Sequence, residues 1–290
     1  MNYRHQYHAG NFADVFKHVV LGQLIRALQR KDKGFLYLDT HAGRGGYDLT
    51  VPGLLPNGRS REPEFPAGIG RLWGASGLPP AVNDYLALVR RFNDRQGATG
   101  PELQYYPGSP WIAKLLLRPQ DRMVLCELRP DEAEALDFAF ARESRVRVQA
   151  MDGYTGLRAH LPPAEKRALV LIDPPFEGQG EFSDILRGLG DAFRRLPGTV
   201  CAVWYPLTER ARVDEFLRAL VAVNPPPALM AELSIAGHSA QVRMKGCGML
   251  ILNPPWQIDA EIRSILPALA RHLGLDDGAG SHSAWLVPEK

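Results

Sequence analysis

An acid, two prolines and an aromatic residue, Asp173-Pro174-Pro175-Phe176, close the apolar run 168–172. These types suit transfer of a methyl group to an amino nitrogen conjugated with an aromatic ring. The lone pair of such a nitrogen is delocalised into the ring, so it attacks poorly. A carboxylate (Asp173) and a backbone carbonyl (Pro174) can accept hydrogen bonds from that NH2 and favour a tetrahedral, nucleophilic nitrogen. Phe176 offers the base a stacking face. The prolines stiffen the turn and force the residue before them towards extended backbone, which fixes where the acceptors point. A strand that merely ends in a proline turn with a solvated carboxylate would leave the same four residues.

The tetrapeptide fits the Asp/Asn/Ser-Pro-Pro-aromatic signature of amino-group methyltransferases that use S-adenosylmethionine. A second match, Asn253-Pro-Pro-Trp256, follows the apolar run 248–252. The position of each in the fold decides between them. The run before Asp173 reads as a parallel strand buried on both faces. Asp173 then sits at the carboxyl end of a strand, where open α/β sheets bind ligands. Asn253 ends a late strand, expected to be antiparallel, whose carboxyl end points the other way.

The elements that must position Asp173 read as an alternating α/β chain. A helix is expected over 13–29 with Asn11 as N-cap and Asp14 in the first turn. The first strand, 34–39, leads into Asp39-Thr-His-Ala-Gly43-Arg-Gly45, an Asp-x-x-x-Gly-x-Gly turn. Glycine there lets the backbone turn sharply and approach a cofactor. Asp39 orients loop amides or meets the methionine amine; a loop-capping aspartate would look the same. His41 lies within the loop, facing cofactor or solvent. Ser109-Pro110 reads as a helix start with serine as N-cap. The second strand, 123–127, ends in Glu127, where nucleotide-binding folds hold ribose hydroxyls. A helix over 131–143 and a third strand at 146–149 follow, then Asp152-Gly153, where the cofactor adenine meets a polar side chain. Later strands are expected at 168–172, 199–204, 231–235 and 248–252, with a possible edge strand at 285–287. The fold class is α/β, and with its glycine turn and Pro-Pro motif the chain resembles a class I S-adenosylmethionine-dependent methyltransferase, which implies a Rossmann-like seven-stranded sheet in that class's usual order 3-2-1-4-5-7-6. Residues 48–104 break the pattern. They read as a small helical insertion between two parts of the main domain, 1–47 and 105–290.

Composition agrees with one large globular domain. The chain has 290 residues, 45% hydrophobic and 23% charged, with a net charge of +2. Its apolar runs are strand-sized, and the polar start Met1-Asn-Tyr-Arg-His lacks a signal core. Cys126, Cys201 and Cys247 have no metal-ligand spacing and read as reduced thiols of a cytoplasmic protein. Residues 1–33 hold six Lys/Arg against two Asp, plus three histidines. That charge suits phosphate attraction or a solvated helix face. The stretch 1–18 is dense in Tyr3, Arg4, His5, Tyr7, His8, Lys17 and His18 and poor in aliphatics. It reads as a lid over cofactor and substrate, with Tyr3 stacking, Arg4 and Lys17 near phosphate, and His18 at the methionine end.

The segment Tyr3-Arg-His-Gln-Tyr-His-Ala-Gly-Asn-Phe-Ala-Asp-Val-Phe-Lys-His18, the loop Leu38-Asp-Thr-His-Ala-Gly43, the stretch Tyr105-Tyr-Pro-Gly-Ser-Pro110 and both Pro-Pro motifs closely resemble the bacterial RlmJ family of 23S ribosomal RNA adenine-N6 methyltransferases. The resemblance runs nearly the whole length. It implies S-adenosylmethionine as cofactor, no metal, and adenine 2030 of 23S ribosomal RNA as target. It places cofactor contacts on His18, His41, Ser109, Glu127, Asp152 and Gly153, the catalytic acceptor on Asp173, and a substrate contact on Tyr3. Phe176 stands where the family commonly has tyrosine, which keeps the stacking face and loses a hydroxyl. Two other readings share the motif: a guanine-N2 ribosomal RNA methyltransferase, and a non-catalytic RNA-binding assembly factor on the same fold.

Overall fold

The structure is a computed structural model describing residues 5–51, 53–54, 60–237, 240, 242 and 244–289. Eight strands form the main sheet: β1 (Leu36–Asp39), β2 (Arg122–Glu127), β3 (Val146–Ala150), β4 (Ala168–Ile172), β5 (Val200–Pro206), β6 (Ala228–Ser234), β7 (Gly246–Leu252) and β8 (Gly280–Val287). Their order across the sheet is 3-2-1-4-5-7-6-8. Strands β1 to β5 are parallel, and β7 inserts antiparallel between β5 and β6. The expected seven strands are therefore eight. The edge strand suggested by 285–287 is a full strand that pairs with all of β6.

Period-two alternation sorts the strand residues onto two faces. Tyr37, Leu125, Leu169 and Leu171 point to one side, and Leu36, Leu38, Val124, Val170 and Ile172 to the other. The first side packs under α1 (Phe12–Gln29), α2 (Pro80–Gln96), α3 (Ser109–Leu116), α4 (Pro130–Phe140) and α8 (Ile258–Leu273). The second packs under α5 (Gly153–His160), α6 (Glu181–Arg195) and α7 (Arg210–Ala222). Both faces being covered explains why the parallel strands are continuous apolar runs. Helix α2 belongs to the stretch read as an insertion, yet Val82, Tyr85, Leu86, Val89 and Phe92 lie in the same core as α1. That stretch is not purely helical: Gly53–Leu54 pairs with Ser60–Arg61. At its margins Gly46–Asp48 pairs with Tyr105–Pro107.

Helix α1 starts as its sequence requires. Asn11 accepts from the amides of Ala13 and Asp14, both at 3.0 Å. Asp14 reaches back to the amide of Gly10 at 3.0 Å, so three backbone donors at the helix start are satisfied by two side chains.

The segment before α1 is anchored. Tyr7, Ala9 and Asn11 are buried. Glu64 binds His8 at 2.8 Å and Asn11 at 2.9 Å, and its amide donates to the carbonyl of Tyr7. The stretch 1–18 reads in the sequence as a lid poor in core residues, an expectation corrected here: from Tyr7 onward the segment is part of the core. Tyr3 and Arg4 lie outside the described residues.

Candidate active site

Because β1, β2, β3 and β4 are parallel, Asp39, Glu127, Asp152 and Asp173 all emerge at the same end of the sheet. The second Pro-Pro motif is elsewhere. Asn253 donates to the carbonyls of Pro197 and Thr199, just ahead of β5, at the opposite end. It pins the β7 exit to the chain before β5. The sequence argument that set it aside agrees with this placement.

Asp173 is met by α1. The Lys17 ammonium lies 2.5 Å from Asp173 Oδ2 and 2.9 Å from Asp14 Oδ1. Lys17 is only 5% exposed. Burial acts to lower its basicity, but Asp14 and Asp173 outweigh that and raise it. The expectation that Lys17 holds a phosphate is thereby corrected: a buried ammonium shared between two carboxylates is not a surface anion site. Phe176 adopts a left-handed backbone, φ 50°, an uncommon conformation for a bulky residue. Its ring packs against Phe182 at 5.1 Å and edge-on to Trp204 at 5.8 Å.

Asp39 is fully buried at the end of β1. It accepts from Tyr37 Oη at 2.8 Å, Ser109 Oγ at 2.7 Å and the amide of His41 at 3.3 Å. Burial pushes its carboxyl up to about 6, against the pull of the Ser109 and Tyr37 bonds. Of the two roles foreseen for Asp39, this geometry matches orientation of a loop amide. Ser109 was expected to cap α3; instead Gly108 is the N-cap and the serine hydroxyl turns to Asp39.

Two glycines shape the turn after β1. Gly43 has φ +58°, and its amide donates to Glu127 Oε2 at 2.8 Å. Glu127 Oε1 accepts the amide of Arg129, also at 2.8 Å. Burial raises the Glu127 carboxyl, with the amides of Arg129 and Gly43 resisting. Each oxygen spends one acceptor direction on backbone and keeps another for a hydroxyl. At Gly153 a Cβ would lie 2.1 Å from the carbonyl oxygen of Thr40. Only glycine lets the start of α5 approach the turn so closely. Asp152 is the N-cap of α5, its Oδ2 taken by Thr155 N and Oγ1 at 2.8 Å each. Burial works to raise its carboxyl, but these bonds hold it below the usual range.

His41 shares a 2.8 Å hydrogen bond with Thr40 Oγ1 and lies edge-on to Tyr154 at 5.6 Å. Burial pushes its imidazole down to about 4, although Asp173 and Asp152 pull the other way. It is neutral at neutral pH. His18 is buried beside Lys17: its Nδ1 meets Tyr106 Oη at 2.8 Å, and that hydroxyl meets Tyr85 Oη at 2.9 Å.

Sequence reasoning missed Asp14 as the second partner of Lys17, and Tyr37, Thr40 and Tyr106 altogether. The i,i+3 spacing of Asp14 and Lys17, and the i,i+2 spacing of Tyr37 and Asp39 on one strand face, carry signals for two of these.

A doubly covered sheet of this order, with acceptors and glycine turns gathered at the carboxyl ends of its parallel strands, is the build of a class I, Rossmann-like methyltransferase. The chain belongs to the family described as "Ribosomal RNA large subunit methyltransferase D, RlmJ", which matches residues 32–287. It is 39% identical over 291 residues to "Ribosomal RNA large subunit methyltransferase J" of Escherichia coli (strain K12), with 100% of both chains covered. The protein of the same name from Haemophilus influenzae is 38% identical over 290 residues, again across both chains in full. A crystal structure of a Legionella pneumophila protein superposes with a TM-score of 0.84 at 34% identity, covering 98% of this chain and 99% of that one.

Proposed function

We propose that this chain methylates the exocyclic N6 of an adenine in 23S ribosomal RNA, with S-adenosylmethionine as donor. The observation that carries the reading is Asp173-Pro-Pro-Phe176 at the end of β4, beside the Asp39 turn and Glu127 at the ends of β1 and β2. The family's name and its full-length relatives support the substrate class. The resemblance carried by the opening motif supports adenine 2030 as the position.

The residues present fit the cofactor. Glu127 keeps acceptor capacity for ribose hydroxyls, and the Gly43 turn and Gly153 bring backbone close on either side. Asp152, next to Gly153 in the chain, is the polar side chain for the adenine. A neutral His41 adds no positive charge next to a sulfonium. When bound, the cofactor supplies an electrophilic methyl carbon, so no covalent enzyme intermediate is required.

The target base must leave its stack to reach Asp173. Its amino group takes a hydrogen bond to Asp173 and another to the carbonyl of Pro174, while Phe176 gives the base a face. Lys17 and the incoming amine compete for Asp173 Oδ2; Asp14 retains the ammonium when the amine displaces it. The proton left on the methylated nitrogen passes to water. Alignment of nitrogen and methyl carbon supplies much of the rate.

Digestion of 23S RNA after incubation with enzyme and donor, followed by nucleoside analysis, tests the reading. N6-methyladenosine is expected, and N2-methylguanosine or no product would overturn it. Asp173→Ala should abolish product while calorimetry still detects donor binding. Asn253→Ala should leave turnover intact.

A further inference from the structure

The end of the sheet opposite Asp173 is strongly basic, and nothing in the reaction uses it. Lys31 and Lys33 are exposed in the link between α1 and β1. The Arg118 guanidinium binds the carbonyls of Gln29 and Lys31, and Arg145 binds the carbonyl of Arg118. Arg167 reaches the carbonyl of Leu28 at 2.7 Å and also that of Lys33. Arg147 is exposed on β3, the edge strand. The nearby carboxylates are mostly spent: Asp121 is buried against Arg118, and Glu165 is held by both Arg122 nitrogens. Asp32 is the exposed exception. Among the described residues, Lys31, Lys33, Arg145, Arg147, Lys166 and Arg167 make no ion pair with a carboxylate.

Two groups inside the region register its potential. The basicity of Arg167 is lowered, first by burial and then by Arg118. That of His160 is lowered by burial, then by Arg147 and Arg122. The whole chain carries a net charge of only +2, so this concentration is local. Arg118 and Arg167 have structural work, since they satisfy carbonyls at the end of α1. Lys31, Lys33 and Arg147 have exposed charges with no such role, and Arg145 spends one nitrogen on the Arg118 carbonyl while its residue stays exposed.

We infer that Lys31, Lys33, Arg145 and Arg147 form a second RNA-binding surface, which grips the phosphate backbone of a segment remote from the target base. Exposed cations on one rigid face neutralise phosphates without reading sequence. Strand β4 alone separates the two ends by about 17 Å, at roughly 3.3 Å per residue. An RNA reduced to the target loop and its few closing pairs covers the active-site end alone, whereas a large folded RNA extends past that distance and would engage both. The inference rests on the ribosomal RNA reading.

The test is the variant Lys31→Gln, Lys33→Gln, Arg145→Gln, Arg147→Gln in the full chain. Two RNAs serve as probes, a short hairpin containing the target adenine and a long 23S fragment around it. Binding is read by fluorescence anisotropy and turnover by methyl transfer. The variant should keep its melting temperature and its kcat and KM on the hairpin. On the long fragment its affinity should fall about tenfold or more at physiological salt. Its plot of log affinity against log salt should flatten by about 3, at roughly 0.7–0.9 per lost phosphate contact. Equal affinity of variant and wild type for the long fragment would overturn the inference, and would leave the patch to an acidic protein partner. Absence of methyl transfer by wild type on both RNAs would count against the proposed reaction instead, because the anisotropy comparison reads the patch without turnover.

Discussion

Lys17 sits between two carboxylates, and its removal separates two effects. Lys17→Met leaves Asp14, which is 2% exposed, without its cation. Breaking a buried pair from one side costs about 3–5 kcal/mol. The melting temperature should fall sharply. Adding Asp14→Asn removes the stranded charge and should recover much of the stability, a non-additivity expected of partners in contact. Methyl transfer should stay impaired in the double variant, because Asp173 has lost the group that orients it. Thermal melts and turnover on both variants check this, and full turnover in the double variant would rule out a positioning role. Asp39 and His41 make opposite claims on pH. The Asp39 carboxyl, up at about 6, favours the fold when protonated; that contribution is present below its ordinary value of 3.8 and is lost as pH rises through about 6. The His41 imidazole, down at about 4, favours the fold when neutral; that contribution is present above its ordinary 6.5 and is lost as pH falls through about 4. Between about 4 and 6 the two slopes oppose each other. Asp39→Asn should expose the His41 slope, with stability falling on acidification, and His41→Asn should expose the reverse. Melting curves from pH 4 to 7 that are parallel for both variants would contradict the assignment.

At the scale of elements, the contact between the start of α5 and the turn after β1 is set by Gly153. A Cβ there meets backbone, not a yielding side chain, so Gly153→Ala must push α5 away from Thr40. Calorimetry should show donor affinity falling by tenfold or more, with a smaller loss of melting temperature; unchanged affinity would mean that the two elements do not form one wall of the donor site. The same scale shows what the sequence discloses. Asp173, Glu127 and Asp39 were legible because each ends an apolar run, and a strand end has a fixed place in a parallel sheet. The Lys17–Asp173 and Ser109–Asp39 bonds were not, because they join residues 156 and 70 positions apart. Ser109 looked like a cap because a serine before proline usually is one; a buried carboxylate without enough donors made a stronger claim on its hydroxyl. The pairing of Gly46–Asp48 with Tyr105–Pro107 is three residues long, too short for any period to appear.

For the molecule as a whole, the N-terminal segment is built into the core from Tyr7 onward. A chain lacking residues 1–4 should lose methylation if Tyr3 and Arg4 meet the RNA, the role their sequence suggests. A chain lacking residues 1–10 also loses Tyr7 and Ala9, at 5% and 1% exposure, and the Gly10 carbonyl that receives the amide of Ile69. Its melting temperature should fall by several degrees. Full activity in the shorter truncation would remove the substrate role, and an unshifted melt in the longer one would contradict the anchoring. The proposed division at 47/48 and 104/105 marks a change in sequence texture; in packing, α2 continues the core of α1.

The strand order has a consequence in time. Strand β1 lies between β2 and β4, so its hydrogen-bonding edges are filled by residues 122–125 and 168–171. During synthesis the central strand is made first, and its second edge is filled only after residues 168–171 have been added. A nascent chain stopped before residue 168 has β1 open along one side, an apolar edge of the kind that recruits other chains. Lys17 and Asp14 are by then already made and wait for Asp173 to emerge. Ribosome-bound chains arrested at successive lengths should become resistant to protease across residues 12–39 only once the stretch through Asp173 has cleared the exit tunnel.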